Sequence, residues 1–246
     1  MNGKQEWWID FFKGGYSDVV LTTQPDSTYA FIKKLCNIET SLKIYDQCCG
    51  KGYLSAKFAE EGHCVTGLDT SSEYIQFARE NFTSSRLEFL LEDARFFVRA
   101  DNYDVVINWN TSCAYSEDDD ENKIMFEAAA KNLKSGGKFV MSTMCEPYIK
   151  KHFQKYIVKQ VPCGQSSIIT IRESYIDNSM MKSNWLIIYP DGRRETAYGQ
   201  TKMYSPSQLK NMLRECGVKP LKVYGGPNFE PFNSDNPSLI VYGIKM

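Results

Sequence analysis

Residues 44–52 read Ile44-Tyr45-Asp46-Gln47-Cys48-Cys49-Gly50-Lys51-Gly52, and they carry the strongest indication of the fold. The apolar start is typical of a buried strand, the small residues after it predict a tight turn, and residues 53–61 continue as a helix. Glycine suits a position with an unusual backbone dihedral, or one where a Cβ would strike a ligand. A strand, a turn and a helix in this order bring the backbone close to a bound nucleotide.

The composition narrows the classes of protein to consider. The chain has 246 residues, a formal net charge of −1 and a sequence pI of about 6.2. Its length suits a single α/β domain over 1–246 with room for an insert. Because there is no basic surplus, we expect no nucleic-acid partner. No run of 18 apolar residues and no secretory signal is visible, so we expect no membrane partner and a cytoplasmic location.

The eight cysteines do not form a recognisable metal or disulfide pattern. They include no C-x-x-C pair, and the chain has only two histidines. Zinc ligands normally come in pairs at short fixed spacing, and adjacent Cys48 and Cys49 cannot form an ordinary disulfide. The cysteines are therefore predicted to be reduced thiols, and no metal site is expected.

Strands and helices alternate through the first part of the chain. Strands are predicted at 43–47, 64–68, 87–91, 103–108 and 138–144, and helices at 53–61, 72–82 and 121–134. Acidic residues 117–121 are interpreted as the solvated start of the last helix, favoured there by the helix dipole. This alternation predicts βαβ units and a doubly wound, mostly parallel sheet, which is a Rossmann-like α/β fold.

The pattern changes after Met144. A short helix is predicted near 146–156, and apolar runs with turn signals follow, so residues 146–204 are predicted to form an inserted antiparallel patch. A helix at 206–216 and two strands at 219–225 and 239–245 complete the chain. The aromatic residues 7–16 and the helix predicted to begin at Pro25 are grouped as an N-terminal helical cap over 1–40, which forms either core or a flap over a ligand.

Three acidic residues lie at the ends of successive predicted strands: Asp46, Asp69 and Asp93. The carboxyl edge of an open α/β sheet is where ligands bind. Asp69 follows the glycine turn by about twenty residues, which suits a carboxylate that accepts hydrogen bonds from ribose hydroxyls. Asp93 is placed to accept from an adenine amino group. A dinucleotide turn requires a third glycine, but Ser55 occupies that position, which disfavours an NAD-dependent oxidoreductase without excluding it.

These residues resemble the class I S-adenosylmethionine-dependent methyltransferases. Asp46, Cys48, Gly50 and Gly52 match the family's first motif, with Cys48 in place of a glycine, and residues 133–137 resemble its L-K-P-G-G turn. The resemblance implies a seven-stranded sheet with an antiparallel last strand, and S-adenosylmethionine as cofactor. The cofactor-binding positions that it implies are Asp46, Cys48, Gly50, Gly52, Asp69, Thr70, Asp93, Ala94, Asn108 and Tyr16.

A narrower resemblance concerns residues 108–115, which are similar to a segment of small-molecule methyltransferases, including sugar-amine N-methyltransferases. It implies that Tyr115 lies beside the transferring methyl and that 146–204 is a substrate lid; His152 is a candidate base. The segment lacks the [DNS]-P-P-[YF] motif of enzymes that methylate nucleic acids or protein glutamine. Candidate pocket walls in the insert are Arg172, Glu173, Tyr175, Trp185 and Tyr204.

The function predicted from the sequence is methyl transfer to a small-molecule acceptor, with an amine nitrogen favoured. Three alternatives stay open: an O-methyltransferase, an NAD-dependent oxidoreductase, and a non-catalytic protein that binds S-adenosylmethionine. Homodimers are common in the resembled family, so a homodimer is also left open.

Overall fold

The computed structural model describes residues 6–12 and 25–246, so Tyr16 lies outside the described residues. The helices are α1 (Trp7–Phe11), α2 (Pro25–Leu35), α3 (Tyr53–Glu60), α4 (Ser72–Asn81), α5 (Asp119–Asn132), α6 (Glu146–Lys151) and α7 (Pro206–Glu215). The strands are β1 (Lys43–Gln47), β2 (Cys64–Asp69), β3 (Leu87–Leu91), β4 (Tyr103–Asn108), β5 (Leu133–Met144), β6 (Tyr156–Cys163), β7 (Ser166–Asp177), β8 (Met180–Ile188), β9 (Arg194–Lys202), β10 (Val218–Tyr224) and β11 (Ser238–Lys245).

The larger sheet has seven strands in the order β10-β11-β5-β4-β1-β2-β3. Strands β1 to β5 pair in parallel, whereas β11 pairs antiparallel with both β5 and β10. The chain moves outward from β1 to β3 on one side and then returns to β4 on the other side of β1. The carboxyl ends of β1 and β4 therefore flank the switch point, which is where ligands bind in such sheets. The fold class predicted from the sequence is confirmed.

Side chains of the central strands alternate between two hydrophobic layers. Ile44 of β1 is buried with Ile32 of α2 and Phe58 of α3, whereas the neighbouring Tyr45 is buried on the other face with Phe126 of α5. Because both faces are covered, the central strands carry runs of apolar residues, which is why they were predictable. Helix α7 begins with a capping box between Ser205 and Gln208, as its sequence indicates.

Strand β5 is longer than predicted. It begins at Leu133, and the predicted turn at 133–137 is a bulge inside the strand, marked by a register shift against β4. Gly136 has a positive φ of 73°, and a Cβ on Gly137 would lie 2.8 Å from the carbonyl oxygen of Lys134. The glycines thus kink the strand without ending it.

The second sheet has four antiparallel strands in the order β6-β7-β8-β9, within the segment where an antiparallel patch is predicted. Helix α1 packs on it, since Phe11 is buried with Ile168 and Ile187. A Cβ on Gly199 of β9 would lie 2.7 Å from the Phe11 ring, so glycine permits this close approach. Across the described ranges, no helix is long and apolar enough to span a bilayer.

Candidate active site

A cavity of about 580 Å³ runs along the carboxyl edge of the seven-stranded sheet. Small-molecule sites typically measure roughly 300–1,000 Å³. Its wall follows the sheet order: Asp93 after β3, Asp69 at the end of β2, Cys48 after β1, Asn110 after β4 and Ser142 in β5. The residues singled out on separate strands are thus brought to one continuous space.

The turn after β1 has three residues in the left-handed region, Cys48 at φ 58°, Gly50 at 57° and Gly52 at 78°. Cys48 therefore adopts a left-handed dihedral for which glycine is usual, so the turn keeps its shape although a cysteine replaces the glycine of the motif. A Cβ added at Gly50 would meet no atom within 4 Å, so the space beside it is open. A Cβ added at Gly52 would lie 2.6 Å from the Phe89 ring, so this glycine is needed for packing.

Asp69 holds the turn against the end of β2. Its carboxylate accepts a hydrogen bond from the Gly50 amide at 2.9 Å and another from the Ser71 amide at 2.9 Å. Burial raises the pKa of Asp69, and the backbone N–H groups oppose that rise. Thr70 also lines the cavity and is exposed to it.

Asp46 is a buried carboxyl group in the floor of the cavity. It is 3% exposed and accepts a hydrogen bond from the Ser55 hydroxyl at 2.6 Å. Burial raises the pKa of Asp46 from an ordinary 3.8 to about 7, with the Ser55 bond opposing the rise and Asp69 adding to it. The serine that replaces a third glycine thus contacts the acidic residue of the motif. A cationic ligand group placed here would favour the ionised carboxylate.

At the end of the cavity next to β3, Arg95 forms an ion pair with Asp93. The guanidinium Nε lies 3.0 Å from each carboxylate oxygen of Asp93, and the Arg95 amide donates to the same carboxylate at 2.9 Å. Arg95 also forms an ion pair with Glu6 and lies over the ring of Trp8, 5.2 Å from its centroid. Ala94, which lies between Asp93 and Arg95 in the sequence, is buried and lines the cavity.

The segment after β4 is strained and tied to both sheets. Asn110 and Thr111 have positive φ values of 62° and 73°, and their amides donate to the hydroxyl and carbonyl oxygens of Ser142, each at 2.9 Å. Non-glycine residues in this region are held by surrounding structure and concentrate at functional sites. From β9, the Gln200 side chain donates to the Tyr115 carbonyl oxygen at 3.1 Å.

Tyr115 lines the middle of the cavity under α1. Its ring centroid lies 4.9 Å from that of Trp7 and 5.8 Å from that of Trp8, with the second pair stacked. Burial, and then the neighbouring Cys48, raises the pKa of Tyr115 well above its ordinary value. The side chain is therefore a neutral phenol near pH 7, able to orient a ligand but poorly suited to remove a proton.

Several predicted site residues do not line the cavity. Asn108 is fully buried and donates to the Gln47 side chain at 3.3 Å. Gly52 ends the turn, is buried, and lies outside the described wall. His152 is exposed at the end of α6 with its ring 4.5 Å from that of Tyr148. No residue of 146–204 belongs to the described cavity wall, because α1 lies between the second sheet and the cavity. Tyr204, a predicted wall, is fully buried and donates to Asp119 at 2.6 Å.

Three charged residues of the described wall, Lys51, Arg95 and Glu121, were not singled out by the sequence analysis. Arg95 directly follows Ala94, so its position near the site could be predicted from the sequence. Its pairing with Glu6 could not. Glu121 was assigned to a solvated helix start, whereas the structure places it in the cavity wall with Ser116 donating to it. The composition of an acidic run does not show whether its last residue faces water or a ligand, so the place of Glu121 in the wall could not be predicted.

A glycine turn with acidic residues at the next two strand ends is the arrangement that the sequence analysis associates with a nucleoside-type ligand. A family model for a methyltransferase domain matches residues 44–137. A putative methyltransferase of Bacillus subtilis, YqeM, is 34% identical over 198 residues, covering 74% of this chain and 77% of the relative. A ubiquinone biosynthesis O-methyltransferase of Hydrogenovibrio crunogenus is 27% identical, covering 82% and 71%. This chain belongs to the S-adenosylmethionine-dependent methyltransferases.

The other matches differ in how much of each chain they cover. An uncharacterized RNA methyltransferase of Protochlamydia amoebophila is 37% identical over 79 residues, but the chain spans only 18% of its length. Among solved structures, an S-adenosylmethionine-dependent methyltransferase from Clostridium acetobutylicum aligns with a TM-score of 0.79 at 17% identity, covering 91% of this chain and 92% of that one. The sugar N-methyltransferase KedS8 from Streptoalloteichus aligns at 0.74 and 16%, covering 91% and 88%. At this identity the structures show a shared fold.

Proposed function

We propose that the protein transfers the methyl group of S-adenosylmethionine to an amine nitrogen of a small molecule. The observation that carries the choice of an amine is the presence of Glu121 in the cavity wall. The described wall has four acidic residues, Asp46, Asp69, Asp93 and Glu121, against two basic residues, Lys51 and Arg95. Asp46, Asp69 and Asp93 are assigned to the cofactor, and Asp93 is paired with Arg95, so Glu121 is the acidic residue that we assign to the acceptor.

The order of residues along the sheet edge supports one orientation of the cofactor. Asp93 and Ala94 would hold the adenine, and Asp69 would accept hydrogen bonds from the ribose hydroxyls. The amino-acid end lies at the turn after β1, where the open space beside Gly50 admits the ligand and Asp46 faces its ammonium group. The elevated pKa of Asp46 fits this assignment, because the ammonium group would pair with a carboxylate that has no cationic partner of its own among the described residues.

The remaining wall, over β4, β5 and β11, forms the acceptor end. It presents Asn110, Ser142 and Ser238 together with the ring of Trp109, and none of these four is charged. The Asn110 side chain has no hydrogen-bond partner among the described residues, so its carboxamide is available to a ligand. A strained backbone held by Ser142 fixes its direction. We therefore assign the acceptor contact to Asn110.

When bound, S-adenosylmethionine supplies a methyl group on a positively charged sulfur. Transfer forms a carbon–nitrogen bond and breaks the carbon–sulfur bond in line, so the chain's main task is to position the nucleophile. Such positioning is worth roughly 7–11 kcal/mol of the barrier. Tyr115 orients the amine as a neutral hydrogen-bonding group, and Glu121, which accepts from Ser116, is the wall carboxylate that we assign to take the amine proton. His152, exposed on α6, is not assigned a role.

Charge also distinguishes amine from hydroxyl acceptors. A hydroxyl becomes an effective nucleophile when it loses its proton, and nearby carboxylates disfavour the alkoxide that results. An amine attacks as a neutral species and becomes cationic, which the same carboxylates favour. O-methylation remains the second candidate, because the Hydrogenovibrio relative that covers most of this chain is named as an O-methyltransferase.

The cover over the site is assigned to α1. Within the N-terminal cap of 1–40, Trp8 and Phe12 line the cavity, whereas the sheet in 146–204 supports α1 from behind. The insert thus acts on the site through α1 and through the bond from Gln200 to the segment after β4, and does not contact the acceptor directly.

The test is a transfer assay with a methyl donor labelled with carbon-13 in the methyl group. The protein is incubated with a metabolite extract and with pairs of synthetic acceptors that differ only in an amine replaced by a hydroxyl. Carbon chemical shifts separate N-methyl from O-methyl products. Labelled N-methyl product from the amine members supports the proposal, and product only from the hydroxyl members contradicts it.

A further inference from the structure

The ion pairs of Arg95 connect two elements that the chain order separates widely. Its guanidinium bonds Asp93, at the end of the cavity assigned to adenine, and Glu6, at the start of α1. Arg95 is only partly exposed, with 25% of its side chain accessible, so these bonds are partly protected from water. Such charge-assisted bonds are stronger than neutral ones.

Aromatic contacts reinforce the same connection. The Arg95 guanidinium lies over Trp8, which stacks on Tyr115, while Phe12 lies 6.1 Å from Tyr74 on α4. Trp8, Phe12, Tyr74 and Tyr115 all line the cavity. The inner face of α1 is therefore a cover over the cavity, and Arg95 is its polar attachment to the larger sheet.

The opposite face of α1 is fixed to the second sheet by Phe11. We propose that Arg95 is a positioning residue that clamps α1 over the adenine end of the site, so that cofactor or product leaves only after its bonds to Glu6 open. This inference rests on the cofactor orientation given under Proposed function. The clamp orders the Asp93 carboxylate and the cover together, because one guanidinium bonds both.

The chain offers a matched control in Arg99. It forms a two-oxygen ion pair with Glu88 and lies over the Phe97 ring at 5.3 Å, which resembles the surroundings of Arg95. Neither Arg99 nor Glu88 lines the cavity. Arg99→Ala thus removes a similar pair and leaves the site untouched.

The experiment measures dissociation of S-adenosylhomocysteine from the full chain by stopped flow. Arg95→Ala is expected to raise the dissociation rate about tenfold, Arg95→Lys less, and Arg99→Ala by less than twofold; one stacked, charge-assisted contact typically changes affinity by about that factor. Glu6→Gln, which leaves Asp93 and Arg95 in place, is expected to raise the rate as well. In the double variant of Glu6→Gln and Arg95→Ala, the two effects should not add, because both break the same bond.

The possible results separate the clamp from the proposed site. An unchanged rate in Arg95→Ala, or an equal effect from Arg99→Ala, overturns the clamp. An effect of Arg95→Ala with none from Glu6→Gln also overturns it, since Arg95 then acts through Asp93 alone. If the wild-type chain fails to bind S-adenosylhomocysteine, the assignment of the cavity to the cofactor is wrong, and the clamp that rests on it is overturned as well. Arg95→Lys and Glu6→Gln keep the test decisive if Arg95→Ala does not fold.

Discussion

Replacing Asp46 by asparagine should change the pH dependence of stability. Burial raises the pKa of Asp46 to about 7, above the 3.8 of an ordinary aspartate, so the folded state prefers the protonated form. The stability that this group contributes is therefore complete below pH 4 and is lost as the pH rises toward 7. At about 1.4 kcal/mol per pH unit, the wild-type chain loses roughly 2–3 kcal/mol between pH 5 and pH 7 through Asp46. Asp46→Asn cannot titrate and should not show this loss.

Urea unfolding of both proteins at pH 5 and pH 8 measures this effect. Relative to wild type, Asp46→Asn should be more stable at pH 8 than at pH 5 by roughly 2–3 kcal/mol, whatever its pH-independent cost. Asp104→Asn is the control: its carboxylate is paired with Lys134 and has a lowered pKa, so its contribution is lost only on acidification below pH 4. Equal differences at the two pH values for Asp46→Asn would refute the assignment of a raised pKa.

Five further substitutions, at four positions, test the turn and its carboxylate. Cys48→Gly should be more stable than Cys48→Ala by about 1 kcal/mol in urea unfolding, because only glycine relieves the positive φ. Gly52→Ala should cost about 2–4 kcal/mol through its clash with Phe89, whereas Gly50→Ala, with open space beside it, should cost about 1 kcal/mol and mainly weaken cofactor binding. Asp69→Asn should weaken binding of S-adenosylhomocysteine by roughly 10- to 100-fold in calorimetry and should also cost about 1–3 kcal/mol of stability, because the two carboxylate oxygens accept separately from the Gly50 and Ser71 amides and asparagine keeps only one acceptor.

Each of these has a contrary outcome. Equal stabilities of the two Cys48 variants would mean that the left-handed dihedral costs nothing at this position. Equal losses for Gly50→Ala and Gly52→Ala would show that the Phe89 contact is not the constraint. Unchanged affinity in Asp69→Asn would remove the carboxylate from the proposed ribose contact.

The parallel sheet was predictable because its strands are buried on both faces and punctuated by turns. The limits of β1, β3 and β4 agree with the sequence analysis for this reason. The site at the sheet edge was equally predictable, since consecutive strands bring Asp46, Asp69 and Asp93 to one edge wherever the helices lie.

Contacts between distant segments were not predictable in this way. The pairing of Arg95 with Glu6 joins residues 89 positions apart and depends on how α1 docks on the second sheet. The same docking separates the second sheet from the cavity, so its aromatic and charged residues do not form the expected walls. Periodicity shows that a strand has two faces, but it does not show which element covers each face.

A crystal structure of the complex with S-adenosylhomocysteine tests the central claim most directly. We predict adenine beside Asp93 and Ala94, ribose hydroxyls on Asp69, the amino-acid end at the turn that contains Gly50, and α1 closed above them. A ligand bound elsewhere, or a turn obstructed by the Cys48 side chain, would contradict the account.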